Sequence, residues 1–141
     1  MTSSPAPYQV FVSHSSIDQW VAQQLAQHIT QCGAGTFLDC FHIDHGDVFE
    51  EKIVVGAKAS QELVVLLTPK SIESRYVWME IGMFRVDRKR IIGVMYDLTL
   101  ADITSDPRVP MALKEVDLVE LNHIEGYFTQ LKGRISLEAS T

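Results

Sequence analysis

Cysteine is scarce in this 141-residue chain: Cys32 and Cys40 are the only two, and they do not form a CxxC pair. They suggest no disulfide framework, and a reducing, cytoplasmic setting is the expectation. Long apolar runs are missing too. None approaches the roughly 18 residues of a membrane span, so no membrane partner is expected. Positive charge is thin. Lys and Arg number 12 against 18 Asp and Glu, the net charge is −6, and the one basic run is Arg88-Lys89-Arg90. Most of such a surface would repel a nucleic-acid backbone, so no nucleic-acid partner is expected. Met1 to Pro7 has neither the basic start nor the apolar stretch of a signal peptide and reads as a short disordered tail. Repeats, low-complexity tracts and interdomain linkers are absent, so residues 8–138 are expected to form one domain with one core.

What is present alternates. Tyr8 to Ser13 is an aromatic and β-branched run, hence a strand. Ser16 and Gln19 have the spacing of a capping box, with Asp18 in the positive first turn. Ile17, Val21, Leu25 and Ile29 then recur every four residues, with Trp20 beside them, which predicts an amphipathic helix ended by Cys32-Gly33. Gly35 to Cys40 reads as a second strand, Phe41 to Val48 as a polar loop, and Phe49, Ile53 and Ala57 as the apolar side of a short helix. Leu63 to Leu67 is continuously apolar, as a central parallel strand covered on both faces must be. Ser74 can cap a third helix whose apolar side is Val77, Ile81 and Phe84. Ile91 to Met95 is a further buried strand, Leu98 to Leu113 is irregular, Val116 to Leu121 is an edge strand, and Ile124, Phe128, Leu131 and Ile135 mark a last helix. The order predicts an α/β fold, a flavodoxin-like five-stranded parallel sheet of order 2-1-3-4-5 with helices on both faces.

Ligands of such sheets bind outside the carboxyl ends of the strands, near the switch point between strands one and three. Ser13-His14-Ser15-Ser16 follows strand one, Asp39 ends strand two, and Thr68-Pro69 follows strand three. A phospho-acceptor site would need acidic residues after strand one, and a flavin or phosphate site a glycine-rich turn; neither is there. Tyr76 and Glu80, four apart, share one face of the third helix, whereas Trp78 lies about 200° of helical rotation from each. Glu80 flanks the apolar stripe and is expected at a rim, partly buried. Most helix glutamates are simply solvated, and spacing alone favours that reading. His42, Asp44, His45 and Asp47 lack the ordered spacing of a zinc motif, so no metal is expected. Ser13 and His14 are adjacent and point opposite ways on a strand, which argues against a nucleophilic triad. Asp39 could equally cap a turn, and Ser13 could satisfy backbone amides.

Three stretches resemble the TIR (Toll/interleukin-1 receptor) domain family, in its bacterial NAD-cleaving form. Val10-Phe11-Val12-Ser13-His14-Ser15-Ser16-Ile17-Asp18 is similar to the opening motif. Phe37-Leu38-Asp39, followed by Gly46 and Phe49, is similar to the second strand and its BB loop. Ser74-Arg75-Tyr76-Val77-Trp78-Met79-Glu80-Ile81-Gly82 is similar to the third-helix motif, in which an aromatic residue precedes a glutamate by four. The chain departs from the family in having Tyr76 where many members have tryptophan, and His14 and Ser15 where some carry arginines.

The resemblance implies Glu80 as the catalytic carboxylate, Tyr76 as the aromatic beside it, and Ser13, Asp39 and Phe49 as lining of a nucleotide pocket. His14, at the same edge, joins the expected substrate-facing residues. The loop residues Asp44, His45, Gly46 and Asp47 are implied in association with another copy or another TIR domain. NAD+ is then the substrate and no separate cofactor is expected. Oxidised nicotinamide is a cationic leaving group, so its departure requires no general acid. The ribose becomes oxocarbenium-like, and a carboxylate can stabilise that charge. Water capture gives ADP-ribose; an internal nucleophile gives a cyclic product. Two other readings are a non-catalytic TIR adaptor and a nucleoside-processing relative of the same fold, and fold alone does not choose among them.

Overall fold

Burial of both faces decides where the most apolar segments go, and the strands Gln9–Ser13 (β1) and Glu62–Leu67 (β3) take inner places in the sheet. The computed structural model describes residues 8–38, 51–109 and 116–139. Within them run β1, α1 (Gln19–Gln31), β2 (Gly35–Leu38), α2 (Glu51–Ala59), β3, α3 (Arg75–Val86), β4 (Arg90–Met95), α4 (Leu100–Ser105), β5 (Asp117–Glu120) and α5 (Glu125–Ala139). All four strand pairs are parallel and the order is β2-β1-β3-β4-β5. This is the expected flavodoxin-like sheet, with β5 as the expected edge strand.

Strand alternation divides the core in two. Val10, Val12, Val64, Leu66, Ile92 and Val94 face α1 and α5, which contribute Leu25, Ile29, Tyr127 and Leu131. Phe11, Leu63, Val65, Leu67 and Met95 face α2, α3 and α4, which contribute Ile53, Val77, Ile81, Phe84 and Ile103. Phe11 stacks on Phe37 with ring centroids 5.0 Å apart and meets Phe84 edge-on at 5.5 Å. On this side α2 lies very close to β2: a Cβ on Gly56 would fall 2.6 Å from the Phe37 ring.

Several local expectations are corrected. The capping box at Ser16 and Gln19 does not form. A 3-10 turn, Ser16–Asp18, precedes α1, and neither Ser15 nor Asp18 makes a side-chain cap bond. That turn takes Ile17 off the helical stripe and leaves it 71% exposed, with Trp20 at 70%. The other end of α1 matches its reading, since Gly33 adopts a φ of +105° after the Cys32 cap. Leu98 to Leu113 is not wholly irregular: α4 starts there on a reciprocal Thr99–Asp102 capping box. Met1 to Pro7, and the expected strand end and loop from Asp39 to Phe49, lie outside the described residues.

Candidate functional site

The parity that puts Phe11 on the α2/α3 side puts Ser13 there too, opposite Val65 in the register of β1 and β3. On α3 the buried side is Val77, Glu80, Ile81 and Phe84, the i, i+3, i+4, i+7 set of a core-facing stripe. Glu80 is thus a member of the stripe, and at 3% exposure it is buried rather than at a rim. A carboxylate so placed is unfavourable without hydrogen bonds. The Ser13 hydroxyl donates one to Glu80 Oε1 at 2.6 Å, inside the molecule and across 67 residues of sequence. Ser74, whose Oγ accepts from the Val77 amide, fixes the start of the helix that carries Glu80.

Tyr76 lies one turn before Glu80 on α3 and is 36% exposed. Trp78 points elsewhere, as its rotation requires, and lines a separate 210 Å³ cavity with Ile72 and Val109. His14 follows Ser13 in the chain. It is half-buried, bonds to the Val12 backbone and senses the Asp18 carboxylate. Burial is the main reason its pKa is lowered from the usual 6.5. The structure therefore brings together Ser13 and Glu80, with Tyr76 one helical turn before Glu80 on α3. Asp39, Phe49, Asp44, His45, Gly46 and Asp47 lie outside the described residues.

Sequence reasoning placed Asp18 as a favourable first-turn charge at the end of the opening motif and Thr68 among the residues after strand three, without linking the two. In the fold their side chains meet. Asp18 Oδ2 accepts from Ser15 Oγ at 2.6 Å and from Thr68 Oγ1 at 2.6 Å. Thr68 is in turn locked to Ser71: its amide donates to Ser71 Oγ at 2.7 Å and its Oγ1 accepts from the Ser71 amide at 3.1 Å. No spacing in the sequence announces a contact 50 residues apart; the signal is positional, both residues following neighbouring strands at the carboxyl edge. Among the described residues no group of three His, Cys, Asp or Glu could hold a metal ion, and no helix is long and apolar enough to cross a membrane.

A doubly wound parallel sheet of order β2-β1-β3-β4-β5, with a buried, serine-bonded glutamate beside β1, defines an α/β domain of flavodoxin-like topology. A family model described as "TIR domain" matches residues 10–132, and the chain belongs to that family. It is 32% identical over 98 residues, 68% of its length, to a protein of Brachypodium distachyon named probable 2' cyclic ADP-D-ribose synthase BdTIR. It is 26% identical over 109 residues, 74% of its length, to a protein of Methanobrevibacter olleyae named probable 2' cyclic ADP-D-ribose synthase TcpO. The matches span 44% and 32% of those two relatives, so the chain covers less than half of either. Among solved structures, the TIR domains of the activated Roq1 resistosome share the fold at a TM-score of 0.63 and 16% identity, over 94% of this chain and 99% of that one. The TIR domain of the Toll-related receptor TRR-2 of Hydra magnipapillata does so at 0.63 and 18%, over 90% and 96%.

Proposed function

We propose that the chain cleaves the nicotinamide-ribose bond of NAD+, releasing nicotinamide and ADP-ribose or a cyclic ADP-ribose. The observation that carries this is the Glu80 carboxylate, buried at the sheet's carboxyl edge and bonded by Ser13 at 2.6 Å, with the Tyr76 ring one turn away. The names of the two relatives, cyclic ADP-ribose synthases, support the same chemistry. In this reading Glu80 faces the ribose as its charge develops, and Ser13 holds the carboxylate in one orientation before the substrate arrives. Fixed groups of this kind stabilise a developing charge without reorganising. Tyr76 offers a flat face on which nicotinamide stacks. His14, Asp39 and Phe49 are proposed as further substrate contacts.

Activity is proposed to depend on self-association through the loop that holds Asp44, His45, Gly46 and Asp47, because a site closed by a neighbour excludes water and strengthens electrostatics. Incubation with NAD+ followed by product identification tests the chemistry, with Glu80→Gln as the control that keeps shape and removes charge. Nicotinamide release by the wild type and not by the variant is expected. Intact NAD+ at high protein concentration would leave the adaptor reading in place. The assembly step is tested by turnover per protomer over a dilution series, with Gly46→Pro expected to flatten the rise.

A further inference from the structure

We propose that Asp18 is a positioning residue: by clasping the β1–α1 turn to the β3–α3 turn, it sets the separation between Ser13 and Glu80. The inference rests on the NAD+-cleaving reading of that site and deepens it.

The site has two halves that the chain delivers separately. Ser13 comes from the end of β1, and Glu80 comes from α3, which the chain enters after β3 through Thr68 and the turn Ser71–Glu73. Sheet hydrogen bonds hold β1 beside β3 only as far as Ser13 and Val65 in the register. Beyond that point the Asp18 carboxylate ties the two turns together. One of its oxygens, Oδ2, accepts Ser15 Oγ from its own turn and Thr68 Oγ1 from the other, both at 2.6 Å. Thr68 is 2% exposed and passes the constraint on: its amide and its Oγ1 are both bonded to Ser71, which is fully buried. The Ser74 amide bonds back to the Ser71 carbonyl, and Ser74 Oγ caps α3. A continuous path of hydrogen bonds and short chain segments thus runs from Asp18 to the first turn of the helix bearing Glu80. Hydrogen bonds to an ionised acceptor are the short and strong kind, so this is a stiff connection.

Asp18 itself is not bonded to Ser13 or Glu80 in this arrangement, and its role is geometric. A reacting group displaced by about 1 Å can lose about 10²-fold in rate. Asp18→Ala and Thr68→Val should therefore each lower kcat for nicotinamide release by about ten- to a hundredfold while KM moves by less than about threefold. Because both remove the same link, the double variant should be no slower than the slower single one. Asp18→Asn should recover most of the turnover, since both hydroxyls converge on one oxygen and an amide carbonyl can accept two hydrogen bonds. Thr68→Ser, which keeps the donor, should do likewise. Each protein is assayed at one fixed concentration with its thermal melt recorded. Should Asp18→Ala fail to fold, Thr68→Val carries the same comparison. Wild-type turnover in folded Asp18→Ala or Thr68→Val overturns the proposal, as do losses that multiply in the double variant or an Asp18→Asn as slow as Asp18→Ala. A wild type that releases no nicotinamide overturns the NAD+ reading and this inference with it; an active wild type with unaffected variants overturns this inference alone.

Discussion

Glu80 shows what single residues in a sequence disclose and what they hide. Its spacing from Tyr76 and its place on α3 were legible, because helical periodicity is local. Its depth was not. The apolar stripe of α3 reads complete with Val77, Ile81 and Phe84, and only the sheet opposite, with Ser13 at the matching parity, makes room for a carboxylate at position 80. Ser13→Ala removes a donor to the buried Glu80 carboxyl group and should lower unfolding free energy by about 1–3 kcal/mol in urea titration. On the proposed NAD+-cleaving function, nicotinamide release should also fall at least about tenfold, with the protein still folded at 25 °C. His14 offers a second measurement at this scale. Burial lowers its pKa from the usual 6.5, and the neighbouring Asp18 charge opposes that shift. The folded protein binds fewer protons than the unfolded chain in this window. Stability contributed by neutral His14 is therefore present above pH 6.5 and lost as pH falls through the folded midpoint. A histidine NMR titration should place the His14 midpoint below 6.5, and Asp18→Asn should lower it further. A midpoint at or above the ordinary value would contradict the burial.

Elements were legible in proportion to their length and periodicity. The buried strands β1, β3 and β4, and the helices α1, α3 and α5, carry patterns strong enough to place from sequence. The six-residue α4 does not, because it shows one buried apolar residue, Ile103, and its capping box ends in Asp102 rather than Glu or Gln. The start of α1 was misplaced for a related reason: Asp18 is engaged with Thr68, a residue no local window contains, and the chain makes a 3-10 turn before the helix begins. The close approach of α2 to β2 is likewise invisible in sequence, where Gly56 is only a poor helix former. Gly56→Ala gains helix propensity, worth about 1 kcal/mol in an open helix, yet its Cβ would fall 2.6 Å from the Phe37 ring. Phe37 stacks on the fully buried Phe11, so the overpacking term of about 1–3 kcal/mol should win. Net destabilisation in chemical denaturation is expected; a raised melting midpoint would show that the ring yields freely.

At the scale of the molecule, the flavodoxin-like sheet and its strand order followed from alternation, but the amino-terminal end of the sheet held a surprise. Glu62, the first residue of β3, is fully buried. It accepts hydrogen bonds from Tyr8, from Tyr127 at 2.6 Å, and from Arg134 Nε and Nη2 at 2.9 and 3.0 Å. These partners come from before β1 and from α5, so no motif could have linked them. Burial, with Glu62 alongside, pushes the Tyr8 phenol up to about 12, and burial raises Tyr127 as well. Between pH 10 and about 12 the unfolded chain releases Tyr8's proton and the folded one keeps it. Stability present below pH 10 should therefore fall as pH rises through that window. Urea midpoints measured from pH 9 upward should show the decline, and Tyr8→Phe, though less stable at neutral pH, should make it shallower, with Tyr127 still contributing. An unchanged slope in Tyr8→Phe would remove this tyrosine from the alkaline transition.

The span of that cluster has a consequence for a chain emerging from the ribosome. Glu62 is synthesised early, and Arg134 follows it by 72 residues. Until α5 has been made and docked, a nascent domain that closed its sheet would enclose a carboxylate without its cation, a defect of about 3–5 kcal/mol. A polypeptide interrupted before position 134 is thereby biased towards an open, protease-sensitive state, and acquisition of the native state is deferred until the carboxy-terminal helix arrives.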